Sequence, residues 1–245
     1  MLKGFFSIVF INSTIHMMTN GEKKLQLYSC FISHPSFSVR IALNLKGLDY
    51  ECKSINVFKG EQSHPEFLKI SPMGFVPALL DGDMVLAESS AIILYLDDKY
   101  PQHPLLPHDL KKRAINYQAA NIISSTIQPT LRIPILAYIR DNVGPDERIT
   151  WVHKHLGKGF TALEILLKDH AGKYATGDEI CLVDVLLAPQ IIGTLERYNY
   201  DISNYPLLSR LSESYKQVPA IRNALPENQP DFPKEVKGII LIRIY

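Results

Sequence analysis

Leu25-Gln26-Leu27-Tyr28, Pro35 to Lys46 closed by Gly47, and Tyr50 to Val57 form the stretch on which the fold turns. The first segment alternates with period two, the second carries apolar residues at helical spacing, and the third is extended again. Strand, helix and strand in that order make a βαβ unit, whose strands run parallel through a right-handed crossover. A short helix is expected over Pro65 to Ile70. Next, Phe75-Val76-Pro77-Ala78-Leu79-Leu80 and Met84-Val85-Leu86 flank Asp81-Gly82-Asp83. An Asp-Gly turn between two apolar runs predicts a hairpin. A helix from Ser89 to Lys99 completes the order β-α-β-α-β-β-α. Pro77 opens a strand that belongs inside the sheet, where proline is unwelcome unless its peptide bond is cis or the strand lies at an edge.

Tyr100 to Pro107 holds Pro101, Pro104 and Pro107, which break helix and strand alike, so it is read as an interdomain link. Beyond it the period is helical throughout. The expected helices are Leu110 to Ser125, Ile133 to Asn142, Glu147 to Ala171, Leu182 to Arg197 and Leu207 to Gln217. This outlines a small α/β domain over 24–105 and an all-α domain over 108–226. The flanks, 1–23 and 227–245, are read as an N-terminal extension, expected to be disordered, and a C-terminal tail. Lys3 and the apolar run from Phe5 to Ile11 superficially suggest a signal peptide. The run is short and no small-residue cleavage pattern follows it. Likewise Gly238 to Tyr245 is far too short for a membrane span.

With 245 residues, 46% of them apolar, the chain can bury a sizeable core, which excludes a disordered or fibrous protein. Lys+Arg 26 against Asp+Glu 25 gives a net charge of +1, which offers no broad field for nucleic acid or an anionic membrane. The partner is therefore expected to be a small molecule. The three cysteines, Cys30, Cys52 and Cys181, form no CxxC and are too few for a disulfide scaffold or a thiolate zinc site. A reducing compartment, the cytoplasm, fits them, and no metal site is expected.

The loop Tyr28 to Ser36 leaves the first strand and enters the first helix, with Pro35 suited to the first helical turn. Unpaired N–H groups and the positive end of the helix dipole favour an anion there, such as a thiolate. The Ser33 hydroxyl could add one hydrogen bond to that anion, or could simply cap the helix. At the start of the third helix, Glu88 suits an ammonium and Ser89 a carboxylate, a clamp for the zwitterionic end of an amino acid. Capping explains Ser89 equally well. A cis bond at Pro77 would present the backbone of Val76 to a peptide ligand. Arg197 ends an amphipathic helix, either as a solvated cation or, turned into the cleft between the halves, as a holder of a carboxylate. Neither GxGxxG nor GxxxxGK[ST] is present, and no GxSxG elbow accompanies Ser33-His34.

Leu27-Tyr28-Ser29, the run Val39 to Glu51, Asn56 to Gly60, and Ser71-Pro72-Met73-Gly74-Phe75-Val76-Pro77-Ala78-Leu79 resemble the zeta class of glutathione transferases, its plant members above all. Lys112 to Ala119, Ile127-Gln128-Pro129, Lys158 to Glu164 and Ala175 to Ile180 carry the same resemblance through the second half, from about Leu25 to Pro233. The resemblance implies a thioredoxin-like N-terminal domain that binds glutathione, an all-α C-terminal domain that binds the second substrate, and a homodimer. It also implies maleylacetoacetate isomerase activity in tyrosine breakdown. There the glutathione thiolate adds to a cis double bond, rotation follows, and elimination gives the trans product. Carried over residue by residue, the glutathione site is Ser33, Gln62, Val76, Glu88 and Ser89, with Gln128 reaching in from the second domain, and Ser33 is catalytic. Arg197 matches the arginine expected to hold the substrate carboxylate.

The departures fall at the chemistry. Where the class carries Arg-Ser-Ser-Cys this chain has Ile32-Ser33-His34-Pro35, and a further expected arginine is Ser38. Both changes remove positive field near a dianionic substrate. Leu131-Arg132 replaces a Gln-Asn pair and returns one cation, so Arg132 joins the candidate substrate residues. His34 joins them as a proton carrier if turned inward, although a neutral, solvent-facing imidazole is expected. Three readings follow: the family isomerase, a transferase acting on a less charged electrophile, and a non-catalytic binder of apolar ligands. A thiol–disulfide oxidoreductase fits the thioredoxin-like order but not the residues, because Ser33 and Ser36 occupy the CxxC positions.

Overall fold

The computed structural model describes residues 24–233. The expected N-terminal extension and the apolar run from Gly238 lie outside them. Strands β1 (Leu25–Ser29), β2 (Tyr50–Ser54), β3 (Ala78–Asp81) and β4 (Met84–Ala87) form one sheet in the order β2-β1-β3-β4. β1 and β2 are parallel, Leu27 opposite Cys52, as the βαβ reading requires. β3 runs antiparallel to both β1 and β4. The hairpin pairs Asp81 with Met84. Gly82 takes φ 66° there, a left-handed conformation that costs glycine nothing. The Val76–Pro77 bond is cis, and β3 is an interior strand.

Helices α1 (His34–Leu45), α2 (Pro65–Leu68) and α3 (Ser89–Lys99) complete the first half. A 3-10 turn over Glu61–Ser63, absent from the sequence reading, precedes α2. The second half is built from α4 (Leu110–Asn121), α5 (Gln128–Thr130), α6 (Ile133–Asn142), α7 (Pro145–Leu167), α8 (Leu182–Tyr198), α9 (Pro206–Lys216) and α10 (Pro219–Asn223). The helix expected to end at Ser125 instead loosens into a π-helical turn, Ile122–Ile127, before α5. Wide turns of this kind recur at functional sites. The helix expected to run to Ala171 stops at Leu167, where the chain turns back through bonds from Gly172 N–H to the Tyr174 carbonyl and from Tyr174 N–H to that of Gly177.

One apolar core runs through both halves. Leu27, Phe37, Ile41 and Ile92 belong to the same buried cluster as Phe160, Leu186 and Leu211. At the seam, Arg40 is wholly buried on α1. It donates to the Ala224 carbonyl at 3.1 Å, Ser29 Oγ at 2.9 Å, the Cys30 carbonyl at 3.4 Å and the Phe31 carbonyl at 3.3 Å. One turn further on, Asn44 donates to the Ala220 carbonyl at 2.9 Å. The proline-rich link is pinned as well. Lys46, 3% exposed, donates to Asp97 at 2.8 Å and to the carbonyls of Tyr100, Gln102 and His103 at 2.8, 3.3 and 3.3 Å. Leu105 N–H in turn reaches Asp97, and Leu182 N–H reaches the Leu105 carbonyl.

The stretch assigned to a tail is in part built into the fold. Pro226–Asn228 forms a 3-10 turn, and Asp231 accepts a hydrogen bond from Phe31 N–H at 2.9 Å.

Candidate active site

The loop from Cys30 to Ser33 leaves β1 at the edge of a cavity of about 440 Å³ between the two halves. Ser33 is the N-cap of α1, and its Oγ accepts the Ser36 N–H at 3.2 Å. Capping and catalysis are thus not rivals at this position. The capping bond uses a lone pair and leaves the hydroxyl proton free to donate. Pro35 occupies the first turn and spends no N–H there.

All nine residues singled out from the sequence line this one cavity. Ser33, His34, Gln62, Val76, Glu88 and Ser89 come from the first half; Gln128, Arg132 and Arg197 come from the second. The N-cap of α3 is Glu88, at φ 70°, and it makes no side-chain capping bond. Ser89 is therefore the first residue of the helix and not its cap, which removes the structural explanation for its hydroxyl. The first-turn N–H groups of α3 have no acceptor within the helix. Two amide atoms of the lining, Oε1 of Gln62 from the first half and Nε2 of Gln128 from the second, are buried without a hydrogen-bond partner. A buried atom of this kind left without a partner costs about 1–3 kcal/mol, so a ligand that supplies the partner is favoured here. Together they offer an acceptor and a carboxylate for an ammonium, and a hydroxyl, helix N–H groups and an amide donor for a carboxylate. A zwitterionic peptide such as glutathione satisfies that set.

Two arginines from the second half complete the lining. Arg132 lies over the Phe75 ring, 4.5 Å from its centroid. Arg197, half-buried on α8, donates to the carbonyl of Ile32 and reaches the cavity wall from there. It does not face solvent as a plain helix-terminal cation. Ile32, in the place of an expected arginine, is buried with Cys30 and Phe31 in a small apolar cluster. Ser38, in the place of the second, is buried and donates to the His34 carbonyl at 3.2 Å. Neither position contributes a charge to the cavity.

The expected orientation of His34 is overturned. Its imidazole is buried, 8% exposed, packed so closely on α8 that a Cβ on Gly193 would collide with it. Burial first, and the Arg197 charge second, hold its pKa well below the ordinary imidazole value. The ring is neutral as expected, but it belongs to the wall and not to the solvent. Its neighbour Gln190, missed in the sequence, is fully buried beside the ring and lines the same cavity. Ser124, at the π-helical turn, was missed too. Cys30 is 1% exposed and its thiol is pushed up by burial, the reverse of what an attacking thiolate requires. Among the described residues no three His, Cys, Asp or Glu side chains are grouped to hold a metal ion.

Residues 27–104 match the family model for the glutathione S-transferase N-terminal domain, and 131–227 match that for its C-terminal domain. The chain is 57% identical over 211 residues to "Glutathione S-transferase zeta class" of Euphorbia esula, covering 86% of this chain and 94% of that one. It is 41% identical to the maleylacetoacetate isomerase of Rattus norvegicus, over 86% of this chain and 96% of the relative. The chain belongs to the zeta class of glutathione transferases. Solved structures agree. A bacterial zeta-class maleylpyruvate isomerase superposes with a TM-score of 0.82 at 34% identity, covering 85% of this chain and 100% of the other. The maleylacetoacetate isomerase of Methylobacterium extorquens, solved with malonate and glutathione, superposes with 0.81 at 31% identity, covering 85% and 99%. This zeta-class chain is accordingly an enzyme that uses glutathione, with the thioredoxin-like and all-α halves of the transferase fold. The reading as a non-catalytic binder is not favoured by this kinship.

Proposed function

We propose that this zeta-class enzyme isomerises a cis-dienone diacid of the maleylacetoacetate type, the reaction for which its isomerase relatives are named, with glutathione conjugation as an activity of the same site. The observation that carries the reading is the position of Ser33. It is a helix-capping hydroxyl with its proton free to donate, on the wall of a cavity that is also lined by two guanidinium groups.

Bound glutathione supplies the nucleophilic thiolate. Ser33 donates its proton as a hydrogen bond to that sulfur, and the N-terminus of α1 adds its dipole, so both favour the charged form. Glu88 and the Gln62 amide oxygen receive the ammonium, while Ser89, the first-turn N–H groups of α3 and Gln128 receive a carboxylate. The backbone of Val76 pairs with the peptide. Arg197 and Arg132 orient the carboxylates of the second substrate. His34, neutral and fixed against α8, shapes the wall beside them and holds no charge. The division of labour follows 24–105 for the thiol and 108–226 for the electrophile.

The enzyme is a cytoplasmic homodimer in this reading. The edge strand β4 supports it by exposing Met84 and Val85, at 46% and 45%, as a patch for a second copy. Three free cysteines suit a reducing compartment. Incubation with maleylacetone and glutathione tests the activity: isomerisation that requires glutathione is expected, together with retention on immobilised glutathione. A protein that is not retained and neither isomerises nor conjugates overturns the reading.

A further inference from the structure

The short loop before Ser33 is held by α1 of its own half and, from the other half, by α8 and the C-terminal segment. The Ile32 carbonyl accepts from Arg197 of α8, and the Cys30 and Phe31 carbonyls accept from Arg40, which is itself tied to Ala224. The Phe31 N–H, in a residue only 4% exposed, finds its acceptor in Asp231, two hundred positions along the chain. Phe232 then meets the Phe31 ring edge-on, 5.5 Å between centroids at 87°, and packs with Val57 and Val76 around the Cys30–Ile32 cluster. Val57 and Val76 are also walls of the cavity.

The segment bearing these two residues is not loosely laid down. Gln229 donates to the carbonyls of Leu225 and Asn223 at 2.9 and 3.2 Å, Asn228 donates to that of Arg222 at 2.7 Å, and Phe232 N–H reaches the Gln229 carbonyl. Hydrogen bonds thus tie this segment to α10 at one end and, through Asp231, to the N–H of Phe31, two residues before Ser33, at the other. Remove it, and a buried N–H loses its acceptor while the aromatic wedge over the loop disappears, at the point where the direction of the Ser33 hydroxyl is set.

We propose that Asp231 and Phe232 are positioning residues for Ser33: the C-terminal segment is a strap that fixes the β1–α1 loop in its hydrogen-bonding geometry. The consequence for turnover rests on the role given to Ser33 above; the consequence for the loop does not.

The test compares wild type, Asp231→Ala/Phe232→Ala and Asp231→Asn. One readout is hydrogen exchange of the Cys30–Phe37 peptide in the free protein. The other is the pH–rate profile for maleylacetone at saturating glutathione. In the double variant the loop amides are expected to exchange about tenfold faster or more. kcat falls about tenfold, the acid limb moves to higher pH, and KM for glutathione changes less than about twofold. Asp231→Asn keeps an oxygen facing the Phe31 N–H and restores slow exchange and most of the rate. Wild-type exchange and an unmoved limb in the double variant overturn the proposal. Should that variant fail to fold, Phe232→Leu decides by the same two readouts. If Ser33→Ala itself leaves the limb unmoved, the role of Ser33 fails, and the exchange data alone judge whether the strap holds the loop.

Discussion

Ser33 performs two tasks with one oxygen, and substitution separates them. Ser33→Ala is expected to lower the melting temperature by the loss of a cap, about 1 kcal/mol. It is also expected to reduce kcat about a hundredfold, with the acid limb of the pH–rate profile displaced upward. Ser33→Asp restores the cap and therefore the melt, but not the rate, since an anion beside the sulfur opposes its ionisation. A hydroxyl needed only for capping shows the same rate in all three proteins. His34 gives a prediction about pH. Its folded pKa lies well below the unfolded value near 6.5, so on acidification the unfolded chain takes up the proton first and stability falls with pH. Wild type should lose up to about 1.4 kcal/mol per pH unit relative to His34→Gln between pH 6.5 and 5, read by urea unfolding. Parallel curves would contradict a buried neutral ring. The sequence placed His34 next to Ser33, but not its direction, because a histidine at a helix start has no period to reveal which face it takes.

At the scale of elements, α3 and α8 each present one feature to the cavity that can be altered alone. Ser89 heads α3 without capping it, so Ser89→Ala should raise KM for glutathione about tenfold with kcat at saturation nearly unchanged. Steady-state kinetics decide, and a loss confined to kcat contradicts the carboxylate role. On α8, Gly193 leaves room for the His34 ring. Gly193→Ala should cost about 1–3 kcal/mol by overpacking, and much less in a His34→Ser background, a coupling that a double-mutant cycle of unfolding free energies measures. Elements such as β1, α1 and the β3–β4 hairpin were legible because alternation, helical spacing and Asp81-Gly82 each admit one local solution. The π-helical turn at Ile122–Ile127 was not, since Ile-Ile-Ser-Ser-Thr-Ile satisfies an α-helical period equally well. The turn's last residue, Ile127, packs into the space that Gly159 leaves on α7, a tertiary contact that no local period announces.

For the molecule as a whole, the seam matters most, and it was the least readable. Arg40 stands in Val39-Arg40-Ile41-Ala42-Leu43, where a lone cation reads as an exposed residue; only the assembled fold shows four acceptors around it. Arg40→Met fills the space but strands those acceptors, and is expected to cost about 3 kcal/mol in urea unfolding. A variant as stable as wild type would mean that the seam is held by apolar packing alone. The nine site residues were reached chiefly through the family resemblance, whose motifs reach them all, whereas Asp231 lay in a stretch with neither motif nor period. Lys46 has a broader consequence. With its ammonium binding three carbonyls of the connector and an aspartate beside them, the connector cannot serve as a hinge. The lobes travel as one rigid object, and admission of reactants falls to mobile side chains at the mouth, such as the largely bare Met73, in place of any swing of one lobe upon the other.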